Sequence, residues 1–197
     1  MIETQHCWYN LKIDTTNCFL DGYKFPEPKG QYGIWHPLAK DMFNPAWLKY
    51  VNEIGLPIYS VMMFYRGPYA STVGAHVDIS RPDPFLLTNF AINWVYGGAD
   101  STMSWFETPK EKKKVEFTSA NTPYIVWDKS GLTKIESVTL GKQVTLVNTG
   151  IPHSIEMGKD PRWAISARTS IRDDYEWDNV VAMLRKSQLL IERNDSN

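Results

Sequence analysis

Two side chains with metal-binding chemistry lie two residues apart in the stretch Gly74-Ala-His-Val-Asp-Ile79. The β-branched neighbours predict a strand, on which successive side chains point to opposite faces, so His76 and Asp78 share one face. Their Cα atoms are then roughly 6.5 Å apart, which allows an imidazole nitrogen and a carboxylate oxygen to meet at one divalent ion. Alone, this pair is more often a polar pair at the exposed end of a strand, so a metal site requires a further ligand.

A third ligand is offered by His153, which follows a short apolar strand and a turn proline, Pro152. The other two histidines, His6 and His36, stand in loop-like surroundings. Two imidazoles and one carboxylate on one face of an ion, with the remaining positions open, form the facial triad of non-haem iron(II) oxygenases. Soft ligands are absent from this set, which disfavours a closed structural zinc site.

Two arginines follow the third ligand, at Arg162 and Arg168. A turn at 158–161 predicts a hairpin, and antiparallel pairing across it would place Arg162 one same-face step, roughly 7 Å, from His153. A guanidinium beside an open metal site favours bidentate capture of a carboxylate. Arg168 shares the face but lies roughly 20 Å further along the strand, so without a bulge the two arginines cannot grip the same group. The alternative for either arginine is an exposed strand residue.

Short strands separated by turn signals dominate the chain and must position these side chains. Within the strand predicted over 86–96, Asn89 and Asn93 share a face and need hydrogen-bond partners. Such a series of strands favours an all-β sandwich or barrel. The other segments with strand patterns are 57–65, 102–106, 115–117, 124–127 and 134–140.

Two helices flank these strands. The first is predicted over 44–55, with Asn44 as N-cap, Pro45 at the first helical position and Gly55 just past the end. The second is predicted over about 174–192 from a stripe of apolar residues. No internal repeat or linker is present, so 1–197 is predicted to be one domain with its core over about 56–172.

The composition limits the kinds of partner. A formal net charge of −1 gives no global electrostatic reason to expect nucleic acid or an anionic membrane. The basic run from Lys110 to Lys114 is typical of a solvated hairpin turn, with a phosphate-binding edge as the alternative. Two cysteines without CxxC spacing, no signal-like N-terminus and no long apolar run favour a cytoplasmic protein without a membrane partner. The sequence gives no indication of oligomeric state.

Together, three features resemble the 2-oxoglutarate- and iron(II)-dependent dioxygenases over approximately residues 56–172. They are His76-Val-Asp78, the approach Val144-Thr-Leu-Val-Asn-Thr-Gly-Ile-Pro-His153, and Arg162 with Arg168. Their order along the chain is the arrangement of that family. The Arg-x5-Arg spacing is also similar to the branch that repairs alkylated nucleic acids, but Ala164 stands where that branch has a polar residue, so the general family is favoured.

The resemblance implies a mainly β fold with flanking helices, a double-stranded β-helix or jelly roll of the cupin-like kind, whose mouth holds the metal. It implies that His76, Asp78 and His153 bind Fe(II). It further implies an oxidoreductase that decarboxylates 2-oxoglutarate to succinate and CO2 and hydroxylates a second substrate.

The same resemblance assigns the residues that hold the cosubstrate 2-oxoglutarate. Its 5-carboxylate would pair with Arg162, helped by Ser166 or Arg168. Tyr65, which precedes the first metal ligand, lies where such enzymes often supply another cosubstrate contact.

The expected substrate is a free amino acid, a peptide side chain or another small molecule, rather than nucleic acid. Some aromatic residues of the strands either line the pocket or pack in the core. These residues are Trp94, Trp105, Phe106 and Trp127.

Two other classes of protein fit the same residues. One is a non-catalytic, cupin-like binding module for a metal or ligand, in which the histidines are structural. The other is a zinc-dependent hydrolase, which needs a general base, with Glu107 and Glu156 as the nearby candidates.

Overall fold

A computed structural model of the protein describes residues 6–70, 74–82, 85–87, 89–111, 114–118, 121–169 and 176–193. In these ranges most of the regular structure is strand. The strands are β1 Trp8–Leu11, β2 Tyr32–Trp35, β3 Ile58–Arg66, β4 Ala75–Pro82, β5 Phe85–Leu87, β6 Phe90–Gly97, β7 Thr102–Phe106, β8 Glu116–Phe117, β9 Pro123–Trp127, β10 Lys134–Val138, β11 Thr145–Asn148, β12 His153–Glu156, β13 Arg162–Thr169 and β14 Leu190–Ile191. The α-helices are α1 Ala39–Met42, α2 Pro45–Glu53 and α3 Trp177–Lys186, and Lys129–Gly131 forms a 3-10 turn.

The strands form two antiparallel sheets. The first sheet has the order β14-β1-β11-β6-β13-β3-β2, and the second has the order β10-β7-β12-β4-β9-β8, with β5 paired to β4. Along the chain the strands from β3 to β13 pass repeatedly from one sheet to the other, which is the topology of a jelly roll. The mainly β, double-stranded β-helix fold expected from the sequence is therefore confirmed.

The predicted hairpin around 158–161 is wrong. β12 pairs with β4 and β7 in the second sheet, whereas β13 pairs with β3 and β6 in the first. The turn between them crosses from sheet to sheet, and Asp100 anchors it by accepting hydrogen bonds from the backbone N–H groups of Lys159, at 2.7 Å, and Asp160. Glycine and proline show that a turn is present, but they do not determine whether the flanking strands pair with each other.

Each face of the first sheet packs in a separate hydrophobic core. The outer face packs against α2 and α3, where Trp47 and Leu184 are buried. The inner face packs against the second sheet, with Trp105 and Val147 fully buried between them. Because side chains alternate along a strand, one strand of the first sheet supplies both cores.

Both predicted helices are present, but their predicted bounds agree with the structure to different degrees. The Asn44 side chain caps α2 by accepting from the backbone N–H of Ala46 at 2.9 Å, as expected. The C-terminal helix is shorter than 174–192, because α3 ends at Lys186 and the chain turns at Gln188, whose φ is 57°, to pair as β14 with β1. Positions 174 and 175 lie outside the described residues.

None of the helices in the described ranges is long and apolar enough to span a membrane. The basic run lies in the connection between β7 and β8, and within it positions 112 and 113 are outside the described residues.

Candidate metal centre

Three side chains converge between the sheets on the inner face of the second sheet. His76 and Asp78 lie on β4, and His153 of β12 is the register partner of His76. One ligand atom of each residue lies within 4.8 Å of those of the other two. The two imidazole centroids are 4.5 Å apart, and Nε2 of His76 is 3.9 Å from Oδ1 of Asp78. The protein therefore brings together two imidazoles and a carboxylate that can hold one metal ion.

Backbone carbonyls orient both imidazole rings. Nδ1 of His76 lies 3.3 Å from the carbonyl oxygen of Gly74, and Nδ1 of His153 lies 3.0 Å from that of Ile151. A carbonyl oxygen can only accept, so each Nδ1 carries the proton and each Nε2 keeps its lone pair. This arrangement is typical of metal-binding histidines, whose second nitrogen donates to a backbone carbonyl or a carboxylate.

The buried position keeps both imidazoles neutral. Burial, reinforced by the neighbouring His153, lowers the pKa of His76 from 6.5 to about 3. Burial also lowers the pKa of His153. Neutral imidazole is the form that binds a metal ion, so no proton has to be displaced near pH 7.

Arg168 holds the carboxylate of the group in its charged form. Its Nη2 lies 3.2 Å from Oδ2 of Asp78. Burial alone would raise the pKa of Asp78, but Arg168, His153 and His76 together keep it below its ordinary value. Arg168 thus pairs with a candidate metal ligand, and its help in holding the distal carboxylate of a cosubstrate stays a prediction.

A cavity extends from the three ligands along the inner face of the first sheet. Its walls come from strands of both sheets and include both charged and apolar side chains. The lining residues are Phe64, Arg66, His76, Asp78, Asn93, Met103, Thr149, His153, Ile155, Arg162, Ala164 and Ser166. Arg162 and Ser166 therefore face the same cavity as the candidate metal ligands, although they reach it from the opposite sheet and not through a hairpin.

The guanidinium of Arg162 places a buried positive charge in this cavity. Its side chain is buried, with 5% of the residue exposed, and burial together with the neighbouring Arg66 lowers its pKa to about 9. Within the described part of the chain no acidic side chain pairs with it. Such a guanidinium is available for an anionic ligand.

The turn after β6 makes room for the Arg162 side chain. Gly97, the register partner of Arg162, and the next residue, Gly98, have φ values of 71° and 59°. A Cβ atom at Gly98 would lie 2.8 Å from Cβ of Arg162 and 3.0 Å from its Cδ. Only glycine combines this backbone conformation with this close approach.

The expectation for Tyr65 is wrong because of strand alternation. Its ring packs against Trp163, with centroids 5.1 Å apart, on the outer face of the first sheet. The neighbouring positions Phe64 and Arg66 face the cavity instead.

Arg66 and Asn93 are two of the cavity residues that the sequence did not assign to the site. Arg66 ends the apolar strand β3, and a charged residue at that place was the available signal. Asn93 was recognised only as an amide in need of a partner. Its Oδ1 is buried without a hydrogen-bond partner among the described residues, and it lines the cavity.

The remaining candidates lie elsewhere. The cavity lining contains none of the four aromatic residues proposed for it, and Trp94 and Trp105 pack in the outer and inner cores. Glu156 is exposed and pairs with Lys129 at 2.7 Å, and Glu107 is also exposed, so neither is placed to act on a ligand in the cavity.

Comparison with known proteins gives no relative by sequence. No protein-family model matches the chain, and no curated protein matches it. Structural matches include two structures of oxalate decarboxylase from Bacillus subtilis, one described for its Mn(II) centres and one for a mutant. Each has a TM-score of 0.36 and 8% identity, and the alignment covers 76% of this chain and 28% of the other.

A third structural match is YcfD from E. coli, with a TM-score of 0.35 and 12% identity over 71% of this chain and 33% of that one. The chain thus spans about a third or less of the length of these proteins. Likeness at this level carries no information about activity.

Proposed function

We propose that this protein is a 2-oxoglutarate- and Fe(II)-dependent dioxygenase that hydroxylates an amino acid, a peptide side chain or another small molecule. One observation carries the proposal. Two neutral imidazoles and one carboxylate line a cavity between the sheets, and the guanidinium of Arg162, which has no acidic partner among the described residues, lines the same cavity from the facing sheet.

The donor atoms support iron as the metal. His76, Asp78 and His153 provide two nitrogens and one oxygen, which is the facial set of non-haem Fe(II) oxygenases and leaves positions free for other ligands. When bound, the iron would supply oxygen activation coupled to the decarboxylation of 2-oxoglutarate.

The chain itself would contribute binding, orientation and exclusion of water. Arg162 and Ser166 would hold the distal carboxylate of 2-oxoglutarate, so that its keto-acid end faces the metal ligands. Arg168 would keep Asp78 charged and fixed in orientation. Because the cavity lies between two packed sheets, its charges act in a surrounding of low polarity, where they are stronger than in water.

The location in a reducing cytoplasm is part of this proposal. Cys7 and Cys18 are both free and buried, and Fe(II) is maintained under reducing conditions.

Of the two other classes, the hydrolase is disfavoured. Among the residues described, the only carboxylate that lines the cavity is Asp78, so a metal-bound water would lack a separate general base. If the protein is a non-catalytic binding module, it should bind metal and ligand but never release succinate from 2-oxoglutarate.

The proposal is tested by calorimetric titration of 2-oxoglutarate into the Fe(II)-loaded protein under argon, for the wild type and Arg162→Met. The substitution should weaken 2-oxoglutarate binding by about thirtyfold, the scale of one lost charge-assisted pair, and leave iron affinity unchanged. Lys49→Met, at a side chain that is 77% exposed, is the matched control and should change neither.

Two results would contradict the proposal. Wild-type protein that binds iron but not 2-oxoglutarate would exclude the cosubstrate. Equal loss of iron and 2-oxoglutarate binding in Arg162→Met would show that Arg162 serves folding and not the cosubstrate.

A further inference from the structure

A second arginine lies directly beside Arg162 in the cavity wall. Arg66 of β3 is the register partner of Arg162 on β13. The two residues are 6% and 5% exposed, and both line the cavity. Two buried guanidinium groups therefore occupy neighbouring strands at the same level of the first sheet.

No counter-charge for this pair is present within the described residues. Nε and Nη1 of Arg66 are buried and have no hydrogen-bond partner in the part of the chain that the structure describes. The ring of Tyr32 lies against Arg66, with its centroid 5.5 Å from Cζ. Among the described residues, Asp78 is the only carboxylate in the cavity lining, and it is already paired with Arg168.

Such an arrangement destabilises the fold without a ligand. A buried cation without a partner is unfavourable, and a second cation beside it adds like-charge repulsion. In agreement with this, burial lowers the pKa of Arg66, and the pKa of Arg162 falls through burial and the proximity of Arg66. An anion between the two groups would remove both penalties.

The chemistry of the pair favours a carboxylate. Each guanidinium presents planar N–H donors, and the two oxygens of a carboxylate offer about four acceptor positions, enough for two arginines at once. The Tyr32 ring makes a cation–π contact with Arg66, and this contact leaves the N–H donors of the guanidinium free for an anion.

We propose that Arg66 and Arg162 together form a preformed carboxylate site, which binds one end of a dicarboxylate even when no metal is present. The choice of a dicarboxylate rests on the proposed function, whereas the anion site itself rests on the two buried arginines. Arg66 is thereby a second binding residue for the distal end of the cosubstrate. It also selects ligands that carry a negative charge at that end.

The test uses the full chain, stripped of metal with EDTA and dialysed. Thermal unfolding is followed with succinate and with succinamide, its uncharged analogue, at constant ionic strength. Succinate should raise the melting temperature of the wild type, and succinamide should not, because ligand that binds only the folded state stabilises it.

The decisive variant is Arg66→Met, which removes the charge and keeps much of the volume. It should melt at a higher temperature than the wild type without ligand, because an unpaired buried cation is gone. It should also lose the succinate-induced shift, with affinity lower by about thirtyfold. Arg66→Lys should keep part of the shift, and Lys49→Met should behave as the wild type.

The inference is overturned if Arg66→Met melts at a lower temperature than the wild type without ligand, since Arg66 would then be structural. It is equally overturned if the variant keeps the full succinate shift. These outcomes are separable from the proposed function. A succinate shift that depends on Arg66, without 2-oxoglutarate binding to the iron-loaded protein, would support the anion site and exclude the dioxygenase.

Discussion

At each candidate histidine ligand, the ring is oriented by a carbonyl two residues earlier in the chain. His76 uses Gly74 and His153 uses Ile151. The same local contact therefore sets the same tautomer on two strands that are distant in sequence, and it leaves both Nε2 atoms for an ion.

The low pKa of His76 predicts a loss of stability in mild acid for the metal-free protein. Its pKa is about 3 in the folded state against an ordinary 6.5, so below pH 6.5 the unfolded chain binds more protons and stability falls as the pH falls. This group alone should cost about 2 kcal/mol between pH 7 and pH 5.

Urea unfolding at the two pH values checks this, with His76→Asn as the comparison. The variant should lose less free energy of unfolding over this interval than the wild type. An equal loss in both proteins would show that His76 is not buried in neutral form.

The site role of Asp78 could be predicted from the sequence, whereas that of Arg66 could not. His76 and Asp78 share a face because of the two-residue period of one strand, which is a local property of the sequence. The role of Arg66 depends on its register partner Arg162 on the neighbouring strand, which lies 96 positions later in the chain (162 − 66). No residue pattern near Arg66 in the sequence predicts that partner.

At the scale of elements, short turns decide where the cavity side chains lie. The crossover after β12 sends β13 to the opposite sheet, so Arg162 faces the metal ligands across the cavity instead of standing beside them. Turn residues predicted that a turn exists at 158–161, but the pairing depends on contacts with Asp100 in the β6–β7 connection, which is far away in sequence.

The turn after β6 yields a prediction about Arg162. Gly98→Ala should lower the free energy of unfolding by about 1–3 kcal/mol, the range for a non-glycine residue in a strained backbone conformation. It should also weaken 2-oxoglutarate binding, because the new Cβ would lie 2.8 Å from Cβ of Arg162. Chemical unfolding and calorimetry measure the two effects.

Gly141→Ala is the matched control, since its Cβ would meet no atom within 4 Å and its φ is not in the positive region. If Gly98→Ala and Gly141→Ala have the same small effect, the close approach of Gly98 to Arg162 is not required.

At the scale of the whole molecule, the cavity exists because two sheets pack face to face. The metal ligands belong to the second sheet and the arginines to the first, so a bound cosubstrate would bridge them. The series of short strands predicted a β-sandwich or barrel, and the resemblance to the 2-oxoglutarate-dependent dioxygenases implied the jelly roll. The strand order was not predictable, because antiparallel pairing joins residues that no short-range pattern relates.

The inner core that holds the sheets together gives a stability prediction. Trp105 is fully buried, and its Nε1–H donates to the carbonyl oxygen of Asn148 at 2.7 Å. Trp105→Phe should lower the free energy of unfolding by about 1–3 kcal/mol, because a buried carbonyl loses its donor. Phe117→Leu, at a residue that is 52% exposed, should have almost no effect in the same urea titration. Equal stability of the two variants would contradict the role assigned to the inner core.

The central claim is that His76, Asp78 and His153 hold one iron ion to which 2-oxoglutarate also binds. The most direct measurement is an anaerobic absorption titration with Fe(II) and then 2-oxoglutarate, in the wild type, His153→Ala and His36→Ala. We predict a weak visible charge-transfer band in the wild type and its loss in His153→Ala. The band should persist in His36→Ala, because His36 is hydrogen-bonded to Thr122 outside the ligand group. Persistence of the band in His153→Ala, or its absence from the wild type, would contradict the account.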